Sequence, residues 1–295
     1  MLKDFLVVQI YFAGWAVIRR LPESAAYSLF EFIGKSFAKK NGKGVRRLRS
    51  NLSRVKPELK GAELEVLVEK ASASYMRYWC DTFRSPDWSK EIIQSRVTCT
   101  NEEFITGPMR RGEGVIVALP HAGNWDLAGA YFASMQLRLV TVAERLKPEA
   151  LFERFLEHRQ ALGMEVLPLD ARAMGTLVQR ARSGKLVALV ADRDLSSSGV
   201  KVTFFGAPAS MPAGPALLAL RTGVPLVTAF VSYTAEGIHI DLKQIEIPES
   251  GSDVEKLNVI VQKCADNFQS GIADYPQDWH MLQRIWSDDN FGESA

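Results

Sequence analysis

The chain has 295 residues, of which 47% are hydrophobic and 24% charged, and its formal net charge is +2. This length and apolar content are enough to bury a substantial core, which excludes a disordered or fibrous protein. The three cysteines, Cys80, Cys99 and Cys264, are far apart and belong to no C-x-x-C or Cys/His cluster. This pattern argues against a disulfide framework or a zinc site and favours a reducing cytoplasm.

Residues 5–18 form the first apolar segment. It is 14 residues long and is interrupted by Gln9, whereas a membrane-spanning helix needs about 20 apolar residues. It follows Asp4 and ends before Arg19 and Arg20, so it lacks the basic start and the cleavage site of a signal peptide. We expect this segment to lie on a membrane or in the protein core.

The next residues predict amphipathic helices beside a basic stretch. After Leu21-Pro22, apolar residues recur at intervals of three and four, which predicts a helix; they are Tyr27, Phe30, Ile33 and Phe37. Residues 39–56 then contain eight basic residues among 18 and no acid. This stretch is either a solvated connection between helices or a surface that binds anionic lipid headgroups. The neighbouring aromatic, amphipathic helices favour the lipid-binding interpretation. RNA binding also fits a basic run, but no nucleic-acid motif accompanies it.

Charge is distributed unevenly along the chain. Residues 1–60 contain 13 Lys and Arg against four Asp and Glu, whereas residues 61–295 contain 23 against 30. A basic end on an acidic body predicts an anionic partner surface. A further helix is predicted over 62–83, so residues 1–96 are interpreted as a basic, helical, membrane-facing extension.

From residue 97 onward, short apolar runs alternate with helical segments. The runs are "GVIVALP", "LRLVTVAE", "MEVLPL", "KLVALVAD" and "VPLVTAFVSY", and the helices are expected near 123–136, 147–162, 171–183, 212–222 and 253–273. This alternation predicts an α/β fold whose central sheet is mostly parallel or mixed and is flanked by helices. The alternating stretch "GIHIDLKQIEI" predicts a half-exposed strand near a sheet edge. We expect residues 97–295 to form this α/β core, continuous with the extension.

Common catalytic motifs are absent from the sequence. There is no G-x-S-x-G nucleophile elbow, no Walker loop and no His-Glu-x-x-His motif among the four histidines. The tripeptide "GEG" at 112–114 enters a predicted strand instead of leaving one, so it does not match a dinucleotide fingerprint. We therefore expect neither a nucleotide-driven nor a metal-driven mechanism.

The strand-to-helix junction "VIVALPHAGNWD" carries the most suggestive residues. His121 follows the predicted strand, at the sheet edge where α/β folds bind ligands. A carboxylate on its second ring nitrogen would make His121 a general base, and Asp126 lies five residues away with Gly123 allowing a bend between them. Alternatively, His121 bonds locally and Asp126 only begins a helix.

With "HAGNWD" the sequence resembles the glycerolipid and lysophospholipid acyltransferase superfamily, whose first block is H-x-x-x-x-D. The segments "AERLKPEALFERFLEHRQALGMEVLPL", "LVALVADRDLSSSGVKVTFFGAPASMPAGPALLALRTGVPLV" and "DYPQDWHMLQRIW" resemble the lipid A acyltransferase branch. Together they are most similar to the actinobacterial phosphatidylinositol mannoside acyltransferases. The resemblance implies transfer of a fatty acyl group from acyl-CoA to a mannose hydroxyl of phosphatidylinositol mannoside, with His121 as base and Asp126 holding its imidazole.

The resemblance also implies substrate-binding roles. Glu144 and Arg145 match the block that binds the acceptor headgroup, and Arg159 would bind phosphate in the same cleft or, alternatively, pair with Glu144. An oxyanion would be stabilised by Arg193 or by the backbone amides of Gly123 and Asn124.

Two further blocks belong to the implied site. Charges directly after a strand, as in "ADRD", favour a site, and one of Asp192 and Asp194 is expected near His121. Phe205 and Gly206, with Phe204, would shape the acyl or thioester channel, although Phe204 equally suits core packing. His280 in the closing block is either structural or functional.

The expected partners follow from the same resemblance. We expect acyl-CoA as co-substrate with no cofactor, a glycolipid acceptor, and an anionic membrane surface at the cytoplasmic face of the plasma membrane. A long apolar groove should run beside His121, because each buried CH₂ of an acyl chain contributes about 0.8 kcal/mol. We expect neither a nucleic acid nor an obligate protein partner. The alternatives are a lipid A type enzyme that uses acyl-carrier protein and a non-catalytic lipid-binding homologue.

Overall fold

The N-terminal part of the chain is helical. The computed structural model describes residues 14–143, 149–194 and 199–286. Residues 14–20 are helical, and α1 (Glu23–Lys40), α2 (Lys43–Val55), α3 (Ala62–Arg84) and α4 (Lys90–Ser95) follow. The basic stretch 39–56 is therefore not one helix: Asn41 takes the left-handed conformation at φ 47°, which ends α1 and turns the chain into α2.

The remaining residues alternate between strands and helices, as predicted. The strands are β1 (Val97–Thr100), β2 (Val115–Leu119), β3 (Leu139–Ala143), β4 (Met164–Pro168), β5 (Leu186–Val190), β6 (Val200–Phe204), β7 (Ala207–Met211), β8 (Leu226–Tyr233) and β9 (Ile238–Ile245). The helices are α5 (Glu103–Arg110), α6 (Trp125–Ser134), α7 (Glu149–Ala161), α8 (Ala173–Arg182), α9 (Gly214–Thr222) and α10 (Asp253–Asp274).

A seven-stranded mixed sheet forms the centre of the described part of the chain, in the order β1-β9-β8-β2-β5-β3-β4. The strands β8, β2, β5, β3 and β4 are parallel, whereas β9 runs antiparallel to β8 and parallel to the edge strand β1. The predicted α/β fold with a mostly parallel sheet is confirmed. β9 lies next to the edge with alternating burial, as its sequence pattern predicted.

Helices cover both faces of this sheet. On one face α5 and α6 bury apolar residues against the strands, including Ile105, Leu127 and Phe132. On the other face α8, α9 and α10 form a second core, which also contains the antiparallel hairpin of β6 and β7. The sheet is thus buried on both sides, as the continuous apolar runs of its central strands require.

The N-terminal helices pack on one another and, through α3, on the α/β core, where the Tyr78 hydroxyl donates to Asp126 Oδ2 at 2.8 Å. The Trp15 indole donates a hydrogen bond to the Phe83 carbonyl at 2.8 Å, and both Trp15 and Ile18 are buried. Residues 5–13 of the first apolar segment lie outside the described residues. Within the described ranges, no helix combines the length and apolarity needed to cross a membrane.

Candidate active site

His121 and Asp192 meet at the carboxyl end of the sheet. Leu119 and Val190 are paired in register at the ends of the parallel strands β2 and β5, so the residues two positions later lie side by side. The His121 ring Nδ1 lies 2.6 Å from Asp192 Oδ1, and the His121 backbone amide donates to Asp192 Oδ2 at 3.0 Å. The His121 side chain is 30% exposed, whereas that of Asp192 is fully buried. One buried carboxylate therefore holds both the ring and the backbone of a histidine that substrate can reach.

Of the two acids in "ADRD", Asp192 is the one that contacts His121. The Asp194 backbone amide donates to the Ser210 carbonyl at 3.3 Å. Arg193 and Asp194 are half-buried on the same rim.

The prediction that Asp126 orients His121 is wrong, because Asp126 has other partners. Its carboxylate accepts hydrogen bonds from Arg159 Nε at 2.8 Å and from the Tyr78 hydroxyl at 2.8 Å. Asp126 lies in the first turn of α6, where its side chain points toward α3 and α7. Among the described residues, no hydrogen bond joins Asp126 to His121, whose Nδ1 is occupied by Asp192.

Both carboxylates stay ionised at neutral pH. Burial alone would raise the pKa of Asp192, but the charge and hydrogen bonds of His121, with a hydrogen bond from Trp279, outweigh it and lower the pKa. The same holds for Asp126: burial would raise the pKa of its carboxyl, but the charge and hydrogen bonds of Arg159 outweigh burial and lower it. Asp126 in turn raises the pKa of Arg159. Asp126 and Arg159 are thus a mostly buried ion pair, with side chains 7% and 19% exposed, and distinct from the pair of Asp192 and His121.

Helix α3 forms one wall of the site at the start of α6. The Asn124 Oδ1 caps α6 by accepting from the Leu127 amide at 2.9 Å, and Asn124 Nδ2 donates to the buried Asp81 at 3.2 Å. The Tyr78 ring stacks on Trp125 at 4.3 Å between centroids. Trp125 in turn lies edge-on to His121 at 5.5 Å. Asn124 is therefore held as a helix cap, and its predicted role as a substrate ligand stays a prediction.

The segment around Trp279 packs against α3 and forms another wall. His280 donates its amide to the His121 carbonyl at 2.8 Å, and an isolated antiparallel bridge joins Ala122 to Trp279. The Trp279 indole Nε1 donates to Asp192 Oδ2 at 2.9 Å. His280 itself is buried, which lowers its pKa to about 3, and its Nε2 lies 2.9 Å from the Ser74 hydroxyl. These contacts suit the structural of the two roles considered for His280, and the functional role stays a prediction.

One predicted oxyanion donor is occupied. The Gly123 amide donates to the Asp278 carbonyl at 2.8 Å, so the expectation that this N–H stabilises an oxyanion is wrong for the described state. The roles of the Asn124 amide and of Arg193 in this respect stay predictions.

The residues expected to shape the channel form a hairpin turn. Phe204 is fully buried in the core. Phe205 and Gly206 both have positive φ, 49° and 72°, as the tight turn between β6 and β7 requires. The Phe205 amide donates to Gln269 Oε1 at 2.6 Å. Glu144 and Arg145, the predicted acceptor-binding residues, lie outside the described residues.

An apolar cavity lies between α6 and the sheet; the empty space in it, including the part open to solvent, is about 650 Å³. Trp125, Asp126 and Arg159 line it, so it lies one side chain away from His121. Its other lining residues come from six strands and two helices and are mostly apolar; they include Ile105, Val117, Leu119, Gly129, Phe132, Leu139, Met164, Val190, Val231 and Ile240. Phe205 and Gly206 are not among the described residues that line it.

Two residues of the site were missed by the sequence analysis. Tyr78 contacts Asp126 from a helix that carries no sequence motif, so no signal pointed to it. Trp279 lies in the block "DYPQDWHMLQRIW", which resembles the family. An aromatic residue in that block was the one signal that could have pointed to it.

An α/β fold that places a histidine–carboxylate pair beside an apolar cavity suits an enzyme acting on lipids. The chain matches the family model described as bacterial lipid A biosynthesis acyltransferase over residues 1–288. It belongs to this family and is an acyltransferase, as the resemblance implied.

Two relatives cover almost the whole chain. The phosphatidylinositol mannoside acyltransferase of Mycolicibacterium smegmatis is 39% identical over 279 residues, which cover 94% of this chain and 90% of that protein. The protein of the same name from Mycobacterium tuberculosis is 37% identical over 281 residues, covering 94% and 87%.

Proposed function

We propose that this acyltransferase moves a fatty acyl group from acyl-CoA to a mannose hydroxyl of a phosphatidylinositol mannoside. The names of its relatives support the acceptor. The observation that carries the chemistry is the His121–Asp192 pair beside an apolar cavity. A partly exposed base next to a site for an acyl chain suits transfer to a hydroxyl.

In the proposed reaction His121 acts as general base. An ionised carboxylate only accepts hydrogen bonds, so Asp192 keeps a proton on His121 Nδ1 and leaves the Nε2 lone pair for the substrate. Nε2 takes the proton of the mannose hydroxyl while that oxygen attacks the thioester carbonyl carbon. The tetrahedral intermediate then breaks its C–S bond, and the imidazolium gives its proton to the departing thiolate. General-base assistance of this kind contributes roughly 10²–10⁴ in rate.

The apolar cavity is the proposed site of the acyl chain. Each CH₂ transferred from water to an apolar site contributes about 0.8 kcal/mol, and most of the cavity lining is apolar. The charged Asp126 and Arg159 line it together with Trp125, the residue adjacent to His121. An acyl chain entering there would keep its thioester within reach of the base.

The acceptor headgroup is proposed to lie near Arg159. Two guanidinium nitrogens of Arg159 already bond Asp126, so the ion pair positions this cation at the cavity. Glu144 and Arg145 keep the headgroup role that the resemblance implies.

We also propose peripheral binding to an anionic membrane, at the cytoplasmic face of the plasma membrane. Leu29, Phe32 and Ile33 are exposed at positions i, i+3 and i+4 of α1, which gives one apolar stripe. Lys39 and Lys40 follow in the last turn of the same helix. An exposed apolar stripe beside basic residues is the pattern of interfacial helices.

Purified protein should be incubated with a mannosylated phosphatidylinositol and either palmitoyl-CoA or palmitoyl-acyl-carrier protein. We expect an acylated lipid with the CoA donor, and loss of turnover in His121→Ala. Activity with the carrier protein alone would replace the proposed donor with that of a lipid A type enzyme. Full turnover by His121→Ala would disprove the general-base mechanism.

A further inference from the structure

The buried carboxylate of Asp192 is held by three hydrogen bonds from two distant parts of the chain. Oδ1 lies 2.6 Å from the His121 ring Nδ1, and Oδ2 accepts from the His121 amide at 3.0 Å. The third bond comes from the Trp279 indole Nε1, which donates to Oδ2 at 2.9 Å. With Oδ2 held from two directions, the carboxylate cannot rotate about its side-chain bond without losing a donor.

The Trp279 indole is itself fixed in place. The side chain is fully buried, and it lies edge-on to Phe204 at 6.0 Å and to Trp286 at 6.2 Å. Such edge-to-face arrangements restrict the orientation of the ring.

The segment that carries Trp279 is anchored from behind by the N-terminal helices. The Ser74 hydroxyl donates to Asp278 Oδ1 at 2.8 Å. Asn51 Nδ2 donates to the Met281 carbonyl at 2.8 Å. These contacts hold residues just before and just after Trp279 in the sequence. The backbone that carries the Trp279 indole is therefore fixed relative to Asp192.

We propose that Trp279 is a positioning residue, whose indole N–H holds the Asp192 carboxylate in the orientation that keeps His121 ready to accept a proton. This proposal rests on the proposed general-base role of His121. Trp279 does not contact the reacting atoms; it acts through Asp192. A preorganised site requires that the carboxylate orienting its general base be held within a narrow range of angles.

The proposal predicts a defect in turnover and in pH dependence, with little change in substrate binding. In Trp279→Phe we expect kcat to fall about tenfold or more, as is typical for loss of a hydrogen bond to a charged group, while KM for both substrates is retained. Loss of a donor raises the pKa of Asp192, so the acid limb of the kcat/KM profile should move to higher pH. The neighbouring His280, whose pKa burial lowers to about 3, is uncharged near neutral pH. Arg193 and Asp194, which follow Asp192 on the same rim, are not altered by the Trp279→Phe substitution.

Trp286→Phe is the matched control. Trp286 is equally buried and also donates its indole N–H, but to the Phe204 carbonyl at 2.9 Å. It lies in the same segment, and Phe at position 286 keeps an aromatic ring against Trp279, so the replacement removes the same kind of donor without touching Asp192. We expect Trp286→Phe to lower the Tm comparably and to leave kcat and the pH profile near those of the wild type.

Incorporation of benzothienylalanine at position 279 separates the hydrogen bond from packing. This side chain keeps the indole shape and replaces the N–H with sulfur, so it decides the question even where Trp279→Phe does not fold. The same loss of kcat and the same pH shift would support the proposal. Wild-type kcat in this variant, or equal effects of Trp279→Phe and Trp286→Phe, would overturn it. Full activity of His121→Ala would instead show that the proposed mechanism is at fault.

Discussion

At the residue scale, two buried carboxylates of this site have different partners. Asp192 bonds a partly exposed histidine, whereas Asp126 bonds an arginine. A carboxylate paired with a base that changes its charge during turnover serves the chemistry. A carboxylate paired with a permanent cation serves the structure and the charge of the cavity. Substitutions of the two residues should therefore give different kinds of defect.

Asp192→Asn should abolish most of the turnover with little loss of stability. The amide keeps the size of the carboxyl group but cannot stabilise an imidazolium, so we expect kcat to fall about 10²- to 10⁴-fold, the contribution of general-base catalysis. Because residues that act as a unit are not additive, the double variant with His121→Ala should be no slower than His121→Ala alone. Steady-state kinetics of the three variants check this, and multiplicative losses would contradict a shared role.

Asp126→Asn should destabilise the fold in a pH-dependent way. Burial raises the pKa of this carboxyl, but Arg159 outweighs it and lowers the pKa below its ordinary value. An acid with a lowered folded pKa adds stability above its unfolded pKa of about 4, and the stability is lost as pH falls through the folded pKa. At pH 7 we expect the free energy of unfolding to fall by about 3–5 kcal/mol, because Arg159 is left buried without its counter-ion.

Urea unfolding at pH 7 and at pH 3 tests this expectation. The difference between wild type and Asp126→Asn should shrink at the lower pH, where the wild-type carboxyl begins to take up a proton. The double variant Asp126→Asn with Arg159→Met should recover much of the loss, since it removes both charges. An equal difference at both pH values would show that the ion pair contributes nothing to stability.

At the scale of elements, α1 combines a buried face with an exposed apolar stripe. Ala26 and Phe30 are buried, whereas Phe32 is 69% exposed and Ile33 37% exposed. A helix that only packed against the core would not need large apolar residues on its solvent side. The exposed stripe is therefore the part of α1 that a membrane surface would contact.

Phe32→Ser combined with Ile33→Ser should weaken binding to anionic vesicles. Two apolar side chains would no longer enter the interface, so we expect the partition coefficient to fall about tenfold or more. Vesicle sedimentation measures this directly. Val254→Ser is the control, because Val254 is 66% exposed on α10 and lies outside α1. Wild-type binding by the double variant would exclude this stripe as the contact surface.

At the scale of the whole molecule, the sequence predicts the elements well and their neighbours poorly. The apolar runs and the helical spacing are local, so β2, β5 and α6 were placed within a few residues. One neighbour of β2 in the sheet is β5, and the residues that meet there, His121 and Asp192, are 71 positions apart in the sequence. Strand order is not readable from local patterns. Proximity in sequence therefore favoured Asp126 as the partner of His121. Tyr78 and Trp279 reach the site only through the packing of elements distant in sequence.

The cavity between α6 and the sheet is also a product of the whole fold, and Gly129 is a position at which it can be narrowed. A Cβ added at Gly129 would lie 3.0 Å from Met164 Cε, so a larger side chain there would occupy space proposed for the acyl chain. In Gly129→Leu, we expect kcat/KM for palmitoyl-CoA to fall about tenfold relative to lauroyl-CoA, equivalent to about two unburied methylenes at about 0.8 kcal/mol each. Gly175→Leu is the matched control, because a Cβ at this helical glycine meets nothing within 4 Å. Donor chains of increasing length should show the change only in Gly129→Leu, and an unchanged ratio there would mean that the acyl chain lies elsewhere.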